Sequence, residues 1–291
     1  MRFTVLASGS RGNASLLEAD GFGLLIDMGL GPRQLARRLH LAGVSWSRVH
    51  AVLLSHTHGD HWNARTISHL VGRRIMLFCH HEHARALQAV SPALRELDAQ
   101  RLLRRYDDAE PFSLGTWQCR PLVVEHDSRP TFGFRFDSPA DLFAAAWALA
   151  HLSDLGTWDD ALAEAIAGVD VLALEFNHDV AMQRTSGRSA MLIDRVLGDE
   201  GHLSNDQAAA LLQQVIAGSS GGRLKHVVQL HLSRDCNRPA LAAIAAREAL
   251  TACGSAAQVH TAMQDHPLRT IGLEPMAIAR CDKVVGSLSE P

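Results

Sequence analysis

Four apolar runs in this chain end on a histidine or an aspartate, and that recurrence constrains its fold more than any other feature. "VHAVLLSH" ends on His56, "PLVVEH" on His126, "ALAHLSD" on Asp154 and "HVVQLH" on His231. Short, almost wholly apolar runs read as strands covered on both faces. Loops at strand ends are where a rigid scaffold holds its ligands. The first run continues as "LLSHTHGDHWN" (53–63), which places His56, His58, Asp60 and His61 within six positions. Adjacent side chains point apart, so one ion does not take all four. Two ions could divide them, with His56 and His58 on one and Asp60 and His61 on the other. Imidazole with carboxylate suits zinc, manganese or iron. The downstream residues supply the remaining ligands, with Asp154 the natural bridge between two divalent ions about 3.5–4 Å apart.

The rest of the chain reads as α/β. "RFTVLAS", "SLLEAD" and "GFGLLIDMG" are strands, the first two joined by "GSRGN". "PRQLARRLHLAG" has helical spacing, with Pro32 in its first turn and Gly43 as a stop. "NARTISHLVG" and "HHEHARALQAV" are helices around a strand, "RIMLFC". "TWQCRPLVVEH", "TFGFRFD", "VDVLALEFN", "RLKHVVQLHLS" and "QVHTAM" read as further strands, as does "LFAAAWALAHLSD", although its alanines also favour helix. "WDDALAEAIAG", "DQAAALLQQVIAG" and "PALAAIAAREALTAC" read as helices. Ser204 and Gln207 have the spacing of a capping box before the second of these. No linker interrupts the pattern. One domain over 1–280 is expected, as two mixed sheets packed together with helices outside, followed by a tail at 281–291.

Composition narrows the function. A formal charge of −3 argues against a protein that coats nucleic acid, though not against a local basic patch. The five cysteines are scattered and contain no C-x-x-C, which fits a reduced, cytoplasmic chain. The N-terminus reads as a strand and turn rather than a secretory signal, and no run approaches about 18 apolar residues, so no membrane partner is expected.

His-x-His-x-Asp-His followed by separate His, Asp and His at strand ends resembles the metallo-β-lactamase superfamily. "ASGSRGNASLLE", "LLIDMGL", "SHTHGDH", "SDLG", "LEFNHDVAM", "GHLSN" and "HLSRDCNRP" are similar, more narrowly, to the YycJ (WalJ) group of bacterial metallo-hydrolases. The resemblance implies an αββα sandwich with two divalent ions, zinc or manganese with iron as a further option, at one edge. It implies that His56, His58 and His126 hold the first ion, that Asp60, His61 and His231 hold the second, and that Asp154 bridges. The implied activity is that of a nuclease, a 5′-to-3′ exonuclease, with DNA rather than RNA as the partner. Two departures stand out. "RTSGRSAMLIDRVLG" lacks the proline and aromatics expected between "NHDVAMQ" and "GHLSN", and Arg234 follows "HLS" where an acidic residue is common in the family.

Two cations bridged by an oxygen bring a water to near-neutral pKa, so no serine or cysteine nucleophile is needed. Asp60 both ligates and orients that nucleophile, and His178 in "EFNHD" is the candidate acid for the leaving alkoxide. Ser10 and Asn13 in "SGSRGN", His202 in "GHLSN", and Arg234 and Asn237 in "HLSRDCNRP" are candidate substrate contacts. Arg11, Arg129 and Arg238 lie in loops near the ligands and can meet phosphates. "CHHEHAR" reads as a solvated helix start. The competing reading is a thioester, lactam or cyclic phosphodiester hydrolase on the same metals, which would need no arginine rim. A di-iron redox protein would carry an acidic residue in place of His58 and a flavin domain. Oligomeric state is left open.

Overall fold

The computed structural model describes residues 1–108, 110–139, 146–219 and 222–273. The expected boundary at 280/281, the tail beyond it, and residues 142–145 of "LFAAAWALAHLSD" lie outside those residues.

The first sheet has the order β14-β1-β2-β3-β4-β5-β6. Its strands are β1 (Arg2–Ala7), β2 (Ala14–Ala19), β3 (Phe22–Ile26), β4 (Ala51–Leu53), β5 (Met76–His80), β6 (Leu103–Tyr106) and β14 (Ile271–Gly272). The second has the order β13-β12-β11-β10-β9-β8-β7. Its strands are β7 (Phe112–Leu114), β8 (Trp117–Val124), β9 (Thr131–Asp137), β10 (Ala148–Leu152), β11 (Val171–Glu175), β12 (His226–Leu230) and β13 (Gln258–Thr261). Both are mixed. β3 to β6 run parallel in one sheet and β10 to β13 in the other, while the remaining neighbours are antiparallel.

Burial follows this pairing. "VLALE" in β11 is buried at every position, as a parallel strand covered on both faces must be. "WQCRPLVV" in antiparallel β8 largely alternates buried and exposed. Phe3, Leu24, Ile26, Trp117, Phe132, Phe134 and Val228 fill the space between the sheets. Outside the first sheet pack α1 (Pro32–Leu41), α2 (Ala64–Arg73), α3 (His81–Val90) and α4 (Pro92–Ala99). Outside the second pack α5 (Asp160–Ala165), α8 (Asn205–Ala217) and α9 (Pro239–Ala252). This is the expected αββα sandwich.

The Ser204 box forms: its hydroxyl accepts the Gln207 backbone N–H at 3.2 Å, and the Gln207 side-chain Oε1 accepts the Ser204 N–H at 2.9 Å. Two stretches carry elements that the sequence reading passed over. α4, β6 and β7 lie within 92–114, and the divergent "RTSGRSAMLIDRVLG" begins at the end of α6 (Val180–Arg184) and contains α7 (Ala190–Leu197). No helix among the described residues is long and apolar enough to cross a membrane.

Strand direction determines where the chemistry sits. β3 and β4 end beside one another in the first sheet. β10, β11 and β12 end together in the second, and β8 runs the same way as β10 because each is antiparallel to β9. The segments after these ends carry Asp27, His56–His61, His126, Asp154 and His231.

Candidate metal centre

Seven residues from four segments converge at this edge. Ligand-type atoms of His56, His58 and His126 lie within 4.8 Å of one another, as do those of His56, His61 and Asp154, and those of Asp60, His61 and His231. All but His58 and Asp60 are buried. The chain reaches this arrangement through strained turns. Asp27, Asp154 and His231 have φ of 60°, 61° and 52°, a left-handed backbone that disfavours residues with a side chain. Gly29 is needed because a Cβ there would lie 1.7 Å from the Asp60 carbonyl oxygen.

Hydrogen bonds set the direction of each ring. His61 donates from Nδ1 to Asp27 Oδ2 at 2.7 Å, and Asp27 also accepts the Ser55 N–H at 2.8 Å. That leaves His61 Nε2 facing Asp154 Oδ2 at 2.9 Å. His126 donates from Nδ1 to the Gly201 carbonyl at 2.9 Å, which turns Nε2 toward His58 Nδ1 at 3.2 Å. Two imidazole nitrogens that close need a shared proton or a shared cation. His231 Nδ1 lies 2.9 Å from Glu175 Oε1, with Nε2 3.4 Å from Asp60 Oδ2. Asn13 Nδ2 lies 2.9 Å from His61 Nε2 and 3.3 Å from Asp60 Oδ2. Such outer partners fix the rings of metal-binding histidines.

Electrostatics point the same way. Burial opposes a charge on His61, but Asp154 and Asp27 outweigh it and raise the ring to about 10. Burial likewise opposes ionisation of Asp154, yet His231 and His61 hold it well below the usual carboxylate range. Glu175, fully buried, is brought to about 2 by His202 and His231. A buried group of carboxylates like this one demands positive charge. His56 adds the direct test of fit. Its Nδ1 contacts Ser55 Oγ at 3.0 Å, while its buried Nε2 has no hydrogen-bond partner. A lone imidazole nitrogen among histidines and carboxylates is a donor set that suits a transition-metal cation.

The centre opens into a cleft of about 450 Å³. Ser10 and His202 line it. His202 is tied through Nδ1 to Glu175 Oε1 at 2.9 Å and lies 3.6 Å from Asp154. The other expected contacts fall elsewhere. His178 is 1 % exposed, does not line the cleft, and has both ring nitrogens without a partner. Burial lowers it to about 4 and keeps it neutral, so the proton donor expected at His178 is withdrawn. Asn237 is also a correction: its amide donates to the Phe176 and Asn177 carbonyls at 2.8 and 3.0 Å and braces the turn behind His178. Arg234 pairs with Asp265 outside the cleft, Arg129 pairs with Glu125 and Glu200, and neither Arg11 nor Arg238 lines the cleft. In "CHHEHAR", His80 caps α3, His81 pairs with Asp107 at 2.9 Å, and His83 donates to the Pro130 carbonyl at 2.8 Å.

Several residues went unread. Asp27 and Glu175 end the apolar runs "GLLID" and "VLALE", so the run-then-ligand rule already marked them. Arg188, Leu192, Arg195 and Val196 form one wall of the cleft and carried no such mark. Arg188 contacts Asp235 at 3.0 Å, and Arg195 pairs with Asp127, whose other oxygen is 3.3 Å from His58 Nε2.

The description of a beta-lactamase superfamily domain matches residues 23–220, more than half of the chain. The chain is 26 % identical over 265 residues to "Exodeoxyribonuclease YycJ" of Bacillus anthracis, covering 89 % of this chain and 94 % of that protein. It is 27 % identical over 241 residues to "Exodeoxyribonuclease WalJ" of Streptococcus pneumoniae, covering 83 % and 85 %. Among solved structures, the metallo-β-lactamase fold protein YhfI of Bacillus subtilis superposes with a TM-score of 0.63 at 14 % identity, covering 91 % of this chain and 98 % of that one. Two mixed sheets with histidines and carboxylates at the shared edge, and a family match spanning both sheets, make this protein a member of the metallo-β-lactamase superfamily of metal-dependent hydrolases.

Proposed function

We propose that this hydrolase is a two-metal phosphodiesterase acting on nucleic acid, with DNA as substrate and 5′-to-3′ exonucleolytic polarity. One observation carries the reading: seven ligand-type side chains gather at the base of a cleft, five of them (His58, Asp60, His126, Asp154 and His231) lining it above the buried His56 and His61, and its wall holds two arginines, Arg188 and Arg195. Guanidinium groups beside a metal centre suit a phosphodiester better than a lactam or thioester. The exodeoxyribonuclease names of the two relatives support DNA and end-directed cleavage. The buried thiols Cys79, Cys119 and Cys236, none of them in a disulfide, support a reducing, cytoplasmic setting. The described residues are read as one domain.

His56, His58 and His126 would hold one ion, Asp60, His61 and His231 the other, with Asp154 between them. Zinc or manganese ions bound there supply an activated water and neutralise charge on phosphorus. The protein does the rest. Asp60 points its carboxylate into the cleft and orients the attacking water. Arg188 and Arg195 hold the non-bridging oxygens. His202, fixed through Nδ1 by Glu175, presents Nε2 as the atom that passes a proton to the leaving oxygen. His202 replaces His178 in that role because His202 lines the cleft and His178 does not.

The test is cleavage of end-labelled DNA and RNA, single- and double-stranded, with Mn²⁺ or Zn²⁺ and an Asp60→Ala preparation alongside. Stepwise shortening of DNA from the 5′ end by the parent alone is expected. Hydrolysis of a small diester or thioester with every oligonucleotide intact would overturn the reading.

A further inference from the structure

Beside the metal cleft lies a second cavity of about 280 Å³. Leu232, Pro239 and Met263 give it apolar walls, and Arg234 and Arg238 add charge. The two cavities meet at a low saddle. Ser233 lines both, Ser10 lines the cleft and Ser8 lines the second cavity. The saddle is braced to the metal centre, since the His231 N–H donates to Ser8 Oγ at 2.8 Å. The far wall is braced too: Gln264 accepts the Arg11 N–H at 2.8 Å and donates to the Gly12 carbonyl at 2.9 Å.

The charge in this cavity is not balanced. Arg234 pairs with Asp265, and Arg38 lies 3.8 Å from the same carboxylate. Among the described residues the Arg238 guanidinium bonds only to backbone carbonyls, those of Arg234 at 3.3 Å and Asn237 at 2.7 Å, so no carboxylate neutralises it. Met263, 48 % exposed, lines the same cavity as an adaptable apolar surface open to solvent. An unneutralised guanidinium in one cavity with apolar side chains matches a phosphate joined to a base. The volume is near the lower end of small-ligand pockets, roughly 300–1,000 Å³, which fits a single nucleotide and no duplex.

We infer that this cavity is a second nucleotide subsite, which takes the residue next to the scissile diester as a single strand crosses the Ser10–Ser233 saddle. Arg238 meets the phosphate and Met263 with Leu232 meets the base. The inference rests on the nucleic-acid reading above and extends it, because a site for one diester needs no such neighbour.

The experiment has two readouts on the metal-loaded protein. One is binding of a fluorescent, phosphorothioate-linked ten-residue oligothymidylate by anisotropy. The other is hydrolysis of bis(p-nitrophenyl) phosphate, whose single diester fills the cleft alone. Met263→Glu, which places a carboxylate in the cavity, is expected to weaken oligonucleotide binding about tenfold while hydrolysis of the small diester holds. Arg238→Ala is expected to lower the slope of log affinity against log salt by about 0.7, the release expected for one phosphate on a single strand. Parent-like binding by both variants, or equal losses in both readouts, would overturn the subsite. The two readings fail separately. A parent that cleaves DNA while both variants bind like it keeps the activity and loses the subsite. A parent whose binding depends on Met263 and Arg238 but which cleaves no nucleic acid keeps the subsite and loses the activity.

Discussion

The floor and the wall of the cleft are built on opposite principles. The floor stands on strand ends from both sheets, with His56, His61, Asp154 and His231 at 0–2 % exposure and three residues held in left-handed turns. The wall is Arg188 and the eight-residue α7 that follows it, a helix in which Val196 alone is buried and Met191 is 83 % exposed. Ion pairs to Asp127 and Asp235 hold the wall against the floor. Ligand positions demand tenths of an ångström, and only packed strand ends supply that rigidity. Under the proposed function, the arginines of this lightly buried wall select the substrate, where substitution disturbs little else.

If that division is correct, floor substitutions should remove metal and catalysis together. The largest effect is expected from Asp154→Ala: loss of at least about 10²-fold in kcat/KM, and metal content per chain well below that of the parent by mass spectrometry. Parent-like metal content in that variant would break the assignment of Asp154 as the bridge. Asp27→Asn comes next. It keeps the shape but weakens the partner of His61 Nδ1 at 2.7 Å. A 10- to 100-fold weaker metal affinity is expected, measured by competition with a chelating dye. An unchanged affinity would show that the Asp27–His61 bond only packs the turn.

The same division explains what could be read before the structure. His231 was legible because it follows a run that reads as a buried strand, whereas Asp154 follows one whose alanines also favour helix and was legible through the repeated pattern of apolar run then ligand. Asp27 and Glu175 obey the same rule and needed only its consistent use. The wall escaped. "RTSGRSAMLIDRVLG" buries one face of a short helix lightly, so its apolar spacing is weak, and its arginines resemble any exposed pair. His178 misled for a related reason. It follows an apolar run as His231 does, but its ring is buried without a partner instead of facing the cleft. Chain position gives the edge on which a residue lies, while the turn's backbone decides whether its side chain enters the site. The same limit placed Arg234 beside the metals, when its pairing with Asp265 turns it to the neighbouring cavity.

The wall should respond differently. Arg188→Ala is expected to raise KM for oligonucleotides about tenfold, the worth of one charged hydrogen bond, with metal content unchanged. Its kcat should move far less, because uniform binding is what the arginine supplies. A loss confined to kcat would place Arg188 on the transition state and blur the line between wall and floor.

The smallest effect tests the floor's back support. His83 Nε2 donates to the Pro130 carbonyl at 2.8 Å and so ties α3, which packs outside the first sheet, to the loop after His126. Burial lowers His83 from the ordinary 6.5 to about 4. Between those values the unfolded chain takes up a proton that the folded chain refuses. The sign follows: His83 lowers stability as pH falls from 6.5 toward 4 and contributes no slope above that window. From pH 7 to pH 5 the loss is on the order of 1–2 kcal/mol. His83→Phe should begin less stable at pH 7, having lost the Pro130 bond, and then fall less steeply with acid. The comparison needs urea midpoints for parent and variant at both pH values, with chelator present throughout so that ligand protonation is common to both. Met191→Ala on the exposed wall should track the parent at each pH. Equal acid slopes for parent and His83→Phe would mean that His83 takes up its proton in the folded protein, and that the loop after His126 gives way to admit it.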